Sequence, residues 1–204
     1  MEIQGRKGLT AGGSLVALRS GDFNELVVND VGLGRYAEAV RREQVFLASV
    51  QAGVALTTTL SVTATGMILT NPIGSGKNII LLEAIFALAS APAGVATIGW
   101  AAQTFDPVTT GVTHTTPLTV RSAKGLRAVT GVGLADSAAT LPNVPVAVRW
   151  VPGGPVAASS IVPPFIRDEI AGALVLIPGT SINTFVLTTA ITAAISLLWA
   201  EVDE

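Results

Sequence analysis

The chain contains no cysteine and a single histidine, His114. The absence of cysteine excludes disulfides, cysteine zinc sites and thiol catalysis. A metal site at His114 would need carboxylate partners, and the nearest acid in the sequence is Asp106. A catalytic triad would need a distant serine and aspartate, and no nucleophile-elbow pattern supports one. We therefore interpret His114 as a polar loop or strand residue, and predict no catalytic, cofactor-binding or metal-ligating residues and no enzyme activity.

Charged residues are also scarce. They make up 13% of the 204 residues, against a usual share of about 25%. The net charge of −2 provides no global basic field, so nucleic acid is not a predicted partner. A monomer with so few charges would expose much neutral surface, and large apolar patches usually mark contact surfaces. We therefore expect the chain to form oligomers or to be incorporated into an assembly.

Aromatic residues are few, and the apolar content comes mainly from Ala, Val, Leu and Ile, with abundant Thr, Gly and Pro. β-Branched residues punctuated by turn formers favour strands. About eight short strands with regularly spaced turn signals predict an all-β fold, a β-sandwich or jelly roll with an extended N-terminal arm. The predicted strands include Val54–Thr65, Thr65–Thr70, Ile79–Ala89, Val95–Thr104, Thr115–Val120, Val144–Val151, Gly172–Ile177, Ile182–Thr192 and Ala193–Val202. Two stretches are interpreted otherwise: Lys124–Asp136 as a glycine-rich connector and Ile166–Glu169 as a polar turn.

Charge is distributed unevenly along the chain. Residues 1–50 carry 12 of the 26 charged residues, and the remaining 154 residues carry 14. This shift predicts a boundary near residue 50. We expect an N-terminal arm over residues 1–50, with short strand or helix elements, and a β-sandwich domain over residues 51–204.

Two long stretches are nearly uncharged, Asn78–Ala102 and Thr184–Ala200, and each is long enough for a membrane-spanning helix. Pro92 and Gly94 interrupt the first, and the second is rich in Thr and β-branched residues. Neither has the basic flanks that set membrane topology. We therefore interpret both as buried strands and predict no membrane association.

The segment Asn71–Asn78, with the sequence Asn-Pro-Ile-Gly-Ser-Gly-Lys-Asn, resembles a phosphate-binding loop at Gly76-Lys77. That motif needs glycine at the position of Asn71 and Ser or Thr at the position of Asn78. Both requirements fail. Pro72 and the two glycines instead predict a turn between two strands.

The remaining polar clusters have surface interpretations. Asp168 and Glu169 would point to opposite faces of a strand, which argues against a shared acid–base site, and a solvated turn or an inter-subunit ion pair is favoured. The basic groups Arg121, Lys124 and Arg127 and the pair Arg41-Arg42 are assigned to protein contacts rather than to nucleic acid, because no aromatic residue interleaves the first group and acids neutralise the second. Trp100, Trp150 and Trp199 are expected as core anchors, with an interface role open for one of them.

The order of these features resembles a group of tailed-bacteriophage virion structural proteins. The resemblance spans most of the chain and rests on turn and strand signatures, namely Glu25-Leu-Val-Val, Gly34-Arg-Tyr-Ala-Glu-Ala, Val45-Phe-Leu-Ala-Ser, Asn71 to Asn78, Thr140-Leu-Pro, Pro163-Pro-Phe, Leu176-Ile-Pro-Gly and Trp199-Ala-Glu-Val. It implies a non-enzymatic virion component with a sandwich or jelly-roll domain, assembled in the host cytoplasm.

Within that group, we expect a capsid decoration or cement protein that stabilises the shell through subunit contacts. A tail, spike or head-fibre subunit with a receptor- or glycan-binding role is the alternative. The expected partners are the chain itself, as a homo-oligomer with a trimer favoured, and other virion proteins such as the major capsid protein. No small-molecule substrate is expected.

Overall fold

The computed structural model describes residues 19–20, 26–27, 35–89, 92–104, 111–127, 131–152 and 165–204. Within these ranges the chain forms one short helix, α1 (Ala37–Arg41), and short and long β-strands. In chain order the strands are β1 (Arg19–Ser20), β2 (Leu26–Val27), β3 (Val45–Ser49), β4 (Val54–Ala55), β5 (Thr63–Asn71), β6 (Lys77–Leu88), β7 (Thr97–Thr104), β8 (Thr113–His114), β9 (Arg121–Ser122), β10 (Leu134–Thr140), β11 (Val146–Trp150), β12 (Phe165–Glu169), β13 (Val175–Leu176), β14 (Thr180–Leu187) and β15 (Thr192–Asp203).

The chain divides into two compact units, Met1–Ala37 and Glu38–Glu204. In the first unit β1 and β2 pair antiparallel. Most of the predicted arm lies outside the described residues. The predicted boundary at residue 50 needs correction, because β3 lies between β15 and β9 in a sheet of the second unit. The charged residues just before β3 belong to α1 and to the turn that follows it. The distribution of charge therefore predicted a boundary that is too late in the sequence.

The second unit is a sandwich of two antiparallel sheets, which confirms the predicted β-sandwich. The first sheet has six strands in the order β11-β7-β14-β5-β10-β8. The second sheet has seven, with β12-β6-β15-β3-β9 as its main path. On this path β13 adds to β6 and β4 adds to β15. The chain therefore crosses between the sheets from β5 to β6 to β7 and again from β14 to β15, whereas β7, β10 and β11 all lie in the first sheet.

Four of the strand pairings are nested in sequence. The outermost joins β3 to β15, and inside it β5 pairs with β14. Further in, β6 pairs with β12 and β7 with β11. Each pair lies in one sheet, and the pairs alternate between the second sheet and the first. The second half of the chain is thus folded back, antiparallel, along the first half.

The main core fills the space between the sheets. Ring contacts define two parts of it: Phe46 stacks on Trp199 with centroids 6.4 Å apart, and Phe86 meets Trp100 edge-on at 5.9 Å. A smaller apolar cluster lies on the opposite side of the first sheet, where Ile68 packs with neighbours from β5 and β10. Core residues of one strand alternate with outward-facing ones, as expected for half-buried strands.

Both long uncharged stretches form strands, β6 and β7 in the first and β14 and β15 in the second. This agrees with their interpretation as buried strands. Within the described ranges, no helix is both long and apolar enough to cross a membrane.

Several predicted elements were wrong. Ile166–Glu169, expected as a polar turn, lies in β12, where pairing with β6 places its charges on alternate faces. Thr115–Val120, expected as a strand, makes one isolated bridge, Pro117 to Asp136, because proline cannot donate to a ladder. The connector Lys124–Asp136 contains the start of β10, and most of Val54–Thr65 lies outside strands.

Gly66 lies two residues before Ile68, where the ladder between β5 and β14 ends. Its φ is +127°, and a Cβ there would lie 2.3 Å from Thr184 Oγ1. The Thr184 hydroxyl instead accepts a hydrogen bond from the Met67 amide at 2.8 Å, replacing the missing ladder bond. Gly66 therefore provides both the backbone conformation and the space that this bond needs.

We predict that Gly66→Ala destabilises the fold by about 2–4 kcal/mol, because it combines an unfavourable φ with a clash against Thr184. Gly74→Ala is the matched control. Gly74 also has a positive φ of 72°, but nothing lies within 4 Å of its Cβ position, so the loss there should be about 1 kcal/mol. Urea denaturation at one protein concentration measures both. Equal losses would contradict the role given to Thr184.

Candidate functional site

The turn at Asn71–Lys77 joins β5 of the first sheet to β6 of the second, as the sequence predicted. Asn71 is fully buried, and its Nδ2 donates to the carbonyl oxygens of Lys77 and Leu176, each at 2.8 Å. Ser75 Oγ donates to Asn71 Oδ1 at 2.6 Å, and Lys77 Nζ lies 2.9 Å from Asp203 Oδ1. The side chains that might have bound phosphate are therefore engaged in closing the turn between the sheets.

The two basic groups lie next to each other. Glu43, which follows Arg41-Arg42, pairs with two members of the other group: its Oε1 lies 3.0 Å from Lys124 Nζ and 3.3 Å from Arg127 Nη2. Lys124 Nζ joins the two groups directly by donating to the Arg41 carbonyl oxygen at 3.2 Å. The hydrogen bond and charge of Lys124 lower the pKa of the Glu43 carboxyl, with Arg127 adding to the effect. Just after α1, Arg42 Nε pairs with Glu38 Oε1 at 2.9 Å. These contacts give the basic residues partners within the chain.

Asp168 and Glu169 point to opposite faces of β12, as predicted, but Asp168 is not solvated. Its side chain is fully buried and paired with Arg149 on β11, whose Nη2 donates to Oδ1 at 3.0 Å. Trp100 Nε1, on β7, donates to Oδ2 at 2.9 Å. The sequence missed Arg149, although an arginine within the apolar run of β11 was a signal for a buried partner.

The Asp168–Arg149–Trp100 network joins the two sheets. β11 is an edge strand of the first sheet, and β12 is an edge strand of the second. A buried carboxylate needs a charge partner and further donors to offset its desolvation, and both are present here. Because both carboxylate oxygens are engaged, the geometry is that of a structural clamp, not of a general acid or base.

His114 also has a carboxylate partner, which is not the acid nearest in sequence. Its Nδ1 lies 2.5 Å from Oδ2 of Asp136, a fully buried residue on β10. Among the described residues, none forms a hydrogen bond with Asp136 Oδ1. Burial raises the pKa of the Asp136 carboxyl above 3.8, and the hydrogen bond and charge of His114 offset part of that rise. The pair fastens β8, a two-residue edge strand, to the first sheet.

A third buried acid, Glu201 on β15, has no cation among its hydrogen-bond partners. Its carboxylate accepts from the amides of Val132 and Gly133, both at 2.9 Å, and from Trp199 Nε1 at 3.1 Å. A Cβ on Gly131 would lie 2.6 Å from Glu201 Oε1. The loop before β10 is therefore held by the carboxylate. The sequence signal was an acid inside the apolar run that ends the chain.

Among the described residues, no group of three or more His, Asp or Glu side chains could hold a metal ion. The three buried acids lie in separate networks, each binding one element of the sandwich to another. These networks can hold the strands in register.

The exposed apolar surface is the main unexplained feature. On β11, Val146 and Trp150 are 69% and 47% exposed, and on β12 Phe165 is 61% exposed. Trp100 and Trp199 are fully buried, as predicted, but Trp150 is not a core anchor. It packs its ring against Phe185 at 5.2 Å and leaves its other side open. Apolar side chains on edge strands favour contact with another protein surface.

We predict that Asp168→Asn costs about 2–4 kcal/mol of folding free energy, because it leaves the Arg149 charge half-buried without its partner. This is less than for a fully buried pair, since the Arg149 side chain is 29% exposed. Urea denaturation provides the measurement. Arg149→Met in the Asp168→Asn background should recover part of the loss, because no unpaired charge then remains.

Glu169→Gln is the matched control, because it removes the adjacent, exposed carboxylate from the same strand. Its effect should stay within about 0.5 kcal/mol. If Asp168→Asn were as mild as Glu169→Gln, the clamp between the sheets would not contribute to stability.

We also predict an opposite pH dependence for two acids. The pKa of Asp136 is higher in the folded than in the unfolded chain, so its stabilising contribution is present below pH 3.8 and lost as pH rises through the folded pKa. Asp136→Asn avoids this loss. Its stability should therefore improve relative to the native chain as pH rises from about 4 to about 7.

Asp203→Asn is the control for this effect. The hydrogen bond and charge of Lys77 lower the pKa of Asp203, so its ionised form contributes stability above pH 3.8 that is lost as pH falls through the folded pKa. Relative to the native chain, this variant should lose stability with rising pH. Urea midpoints measured across the range test both signs. Parallel shifts of the two variants would contradict the burial argument for Asp136.

The comparisons with known proteins leave the function to be argued from geometry. Searches with the chain against protein-family models, curated proteins and solved structures found no match.

Proposed function

We propose that this chain is a non-enzymatic structural protein of a bacteriophage virion. Its proposed role is that of a capsid decoration or cement protein, which binds the shell and stabilises it through subunit contacts. The observation that carries the proposal is the combination of a rigid two-sheet sandwich with apolar side chains exposed on both of its adjoining edge strands, β11 and β12. The resemblance of the sequence motifs to tailed-phage virion proteins supplies the setting.

The strand order supports a more specific fold within this proposal. A jelly roll is a double-sheet architecture of eight strands, and in it strands pair as a long hairpin wrapped around a core. The pairs β3·β15, β5·β14, β6·β12 and β7·β11 are nested in that manner and alternate between sheets. On this interpretation β8, β9, β10 and the short strands are additions to the eight. We propose the sandwich to be a jelly roll of this kind.

The internal polar networks support a structural role. Asp168, Asp136 and Glu201 each contact a different element and hold edge strands or loops against the sheets. A shell component must keep its shape while its surfaces bind neighbours, and networks of this kind restrict opening at the edges. The proposed partners are further copies of the chain and other virion proteins such as the major capsid protein.

A tail, spike or head-fibre subunit with a receptor- or glycan-binding role is the second candidate. The observation that favours it is the exposure of Trp150 and Phe165, because exposed aromatic rings can pack on sugar rings as well as on proteins. The two candidates place the chain on different parts of the particle.

The test is immunogold labelling of purified virions from the phage that carries this sequence, with an antibody raised against the full chain. We expect gold particles spread over the head for a decoration protein, and confined to the tail or to head fibres for the second candidate. Labelling with an antibody preparation depleted on the purified chain is the control. Intact virions that lack the chain by immunoblotting would contradict both candidates.

A further inference from the structure

The second sheet presents one side to the core and the other outward, and the outward side has an unusual composition. We call this side the outer face. The strand register defines it, because Phe86, Leu197 and Trp199 point into the core and their neighbours in sequence point away. It comprises Leu47, Ser49, Ile80, Glu83, Ile85, Ala87, Phe165, Arg167, Glu169, Val175, Ala194, Ser196 and Leu198.

An antiparallel sheet that faces water normally alternates apolar residues inward with polar residues outward. The outer face departs from this rule: Ile85, Phe165 and Val175 are 39%, 61% and 50% exposed. Along the middle strand, β15, its members are Ala194, Ser196 and Leu198, none of which carries a charge. The Ser196 hydroxyl forms a hydrogen bond with the Ser49 hydroxyl on the neighbouring strand β3, with the two Oγ atoms 2.7 Å apart. The centre of the face therefore carries no charge, and its Ser196 hydroxyl already has a hydrogen-bond partner.

Charge appears only towards the two sides of the face, with opposite net sign. One row crosses the main path of the sheet in the order Arg121, Leu47, Leu198, Glu83, Glu169. Arg121 lies on β9 at one end, next to Lys124 and Arg127. The two glutamates lie at the other end together with Arg167, which pairs with Glu83 at 2.7 Å. Two acids and one base leave that end with a net negative charge, so the face is net basic on one side, neutral in the middle and net acidic on the other.

This arrangement is complementary to itself. A two-fold axis parallel to β15, placed just above the middle of the face, superimposes the basic side of one copy on the acidic side of the other. The neutral residues of β15 then meet their own counterparts at the axis. Isologous two-fold contacts have this property, because each patch binds the same patch on the partner.

We propose that the outer face binds a second copy of this chain, face to face, about a two-fold axis parallel to β15. The proposal rests on the homo-oligomer included in the proposed function and names the surface through which it forms. Five strands at about 4.8 Å spacing and about 20 Å of strand length give a footprint on the order of 400 Å² per copy before side-chain relief. Two copies would bury about 800 Å² in total, which is below the size of a standard interface and fits a weak, transient association.

The first test is sedimentation velocity of the full chain from about 1 to about 100 μM, a range that covers weak association. The native chain should pass from monomer to dimer. Ser196→Lys places a positive charge at the axis, opposite its own copy, and should weaken the dimer at least tenfold. Ser196 is exposed, so the fold should tolerate the lysine, and urea denaturation checks this.

Thr113→Lys is the matched control. Thr113 is an exposed strand residue on β8, in the other sheet, so its lysine adds the same charge away from the outer face. The dimer of this variant should match that of the native chain. Loss of association in Thr113→Lys with none in Ser196→Lys would assign the contact to the first sheet and overturn the proposal.

The second test exchanges charges between the two sides. Arg121→Glu and Glu169→Arg should each weaken the dimer about threefold, and the double variant should recover most of that loss. Recovery is specific to a two-fold arrangement that brings the two sides together. Additive losses in the double variant would contradict the proposed axis.

The remaining outcomes separate this proposal from the proposed function. A native chain that stays monomeric at all these concentrations, or that forms a trimer unaffected by Ser196→Lys, overturns the face-to-face contact. Immunogold labelling of virions would still support the virion role in either case. If the native chain is monomeric and Ser196→Lys removes the chain from virions, the outer face binds another virion protein instead of a second copy.

Discussion

The ladder between β6 and β15 is the interaction on which the rest of the sandwich depends. It runs from Ala193 opposite Leu88 to Asp203 opposite Lys77, and it pairs the middle of the chain with its end. Every other strand of the second sheet attaches to one of these two or to β3 beside them. Of the nested pairs, β6·β12 and β7·β11 lie inside this ladder in sequence and do not involve the final strand. The fold is therefore rich in contacts distant in sequence, a property of slow-folding β proteins.

A sandwich built in this way has to close its edges, and buried acids perform this task. Asp168 links the last strand of each sheet through Arg149 and Trp100, and Asp136 fastens the short edge strand β8. Glu201 anchors the loop before β10. Hydrophobic packing between two sheets is not directional, whereas each of these carboxylates forms hydrogen bonds with specific donors. They therefore contribute to a unique register as well as to stability, at a desolvation cost that their partners offset.

The sequence predicted the local and repetitive features of this fold and missed those that depend on distant partners. The turn at Asn71–Lys77 and the strands β6, β7, β14 and β15 follow from Pro72, the glycines and the β-branched runs. The strand β12 was read as a turn because Asp168 is charged, and its partner Arg149 lies in another sheet. The sequence also could not show which strands form the exposed edges, since Trp150 and the buried Trp100 lie in similar apolar segments. Only the order of strands in the sheet places Trp100 on an inner strand and Trp150 on an edge strand.

The scarcity of charge acquires a specific meaning once the faces are distinguished. In a free sandwich, the outward positions of strands and the sheet edges are the places where charge would limit edge-to-edge and face-to-face association. Here the outward positions of β15 and the exposed positions of β11 carry none, while Arg121 and Glu169 stand at opposite sides of one face. When the centre of a surface is uncharged and its two sides carry opposite net charge, the charges orient an approaching partner without repelling it at the centre. Such a surface fits the proposed contact with a second copy of the chain. Three acids, Asp136, Asp168 and Glu201, are buried instead, where their hydrogen bonds hold the strands and loops of the sandwich in place.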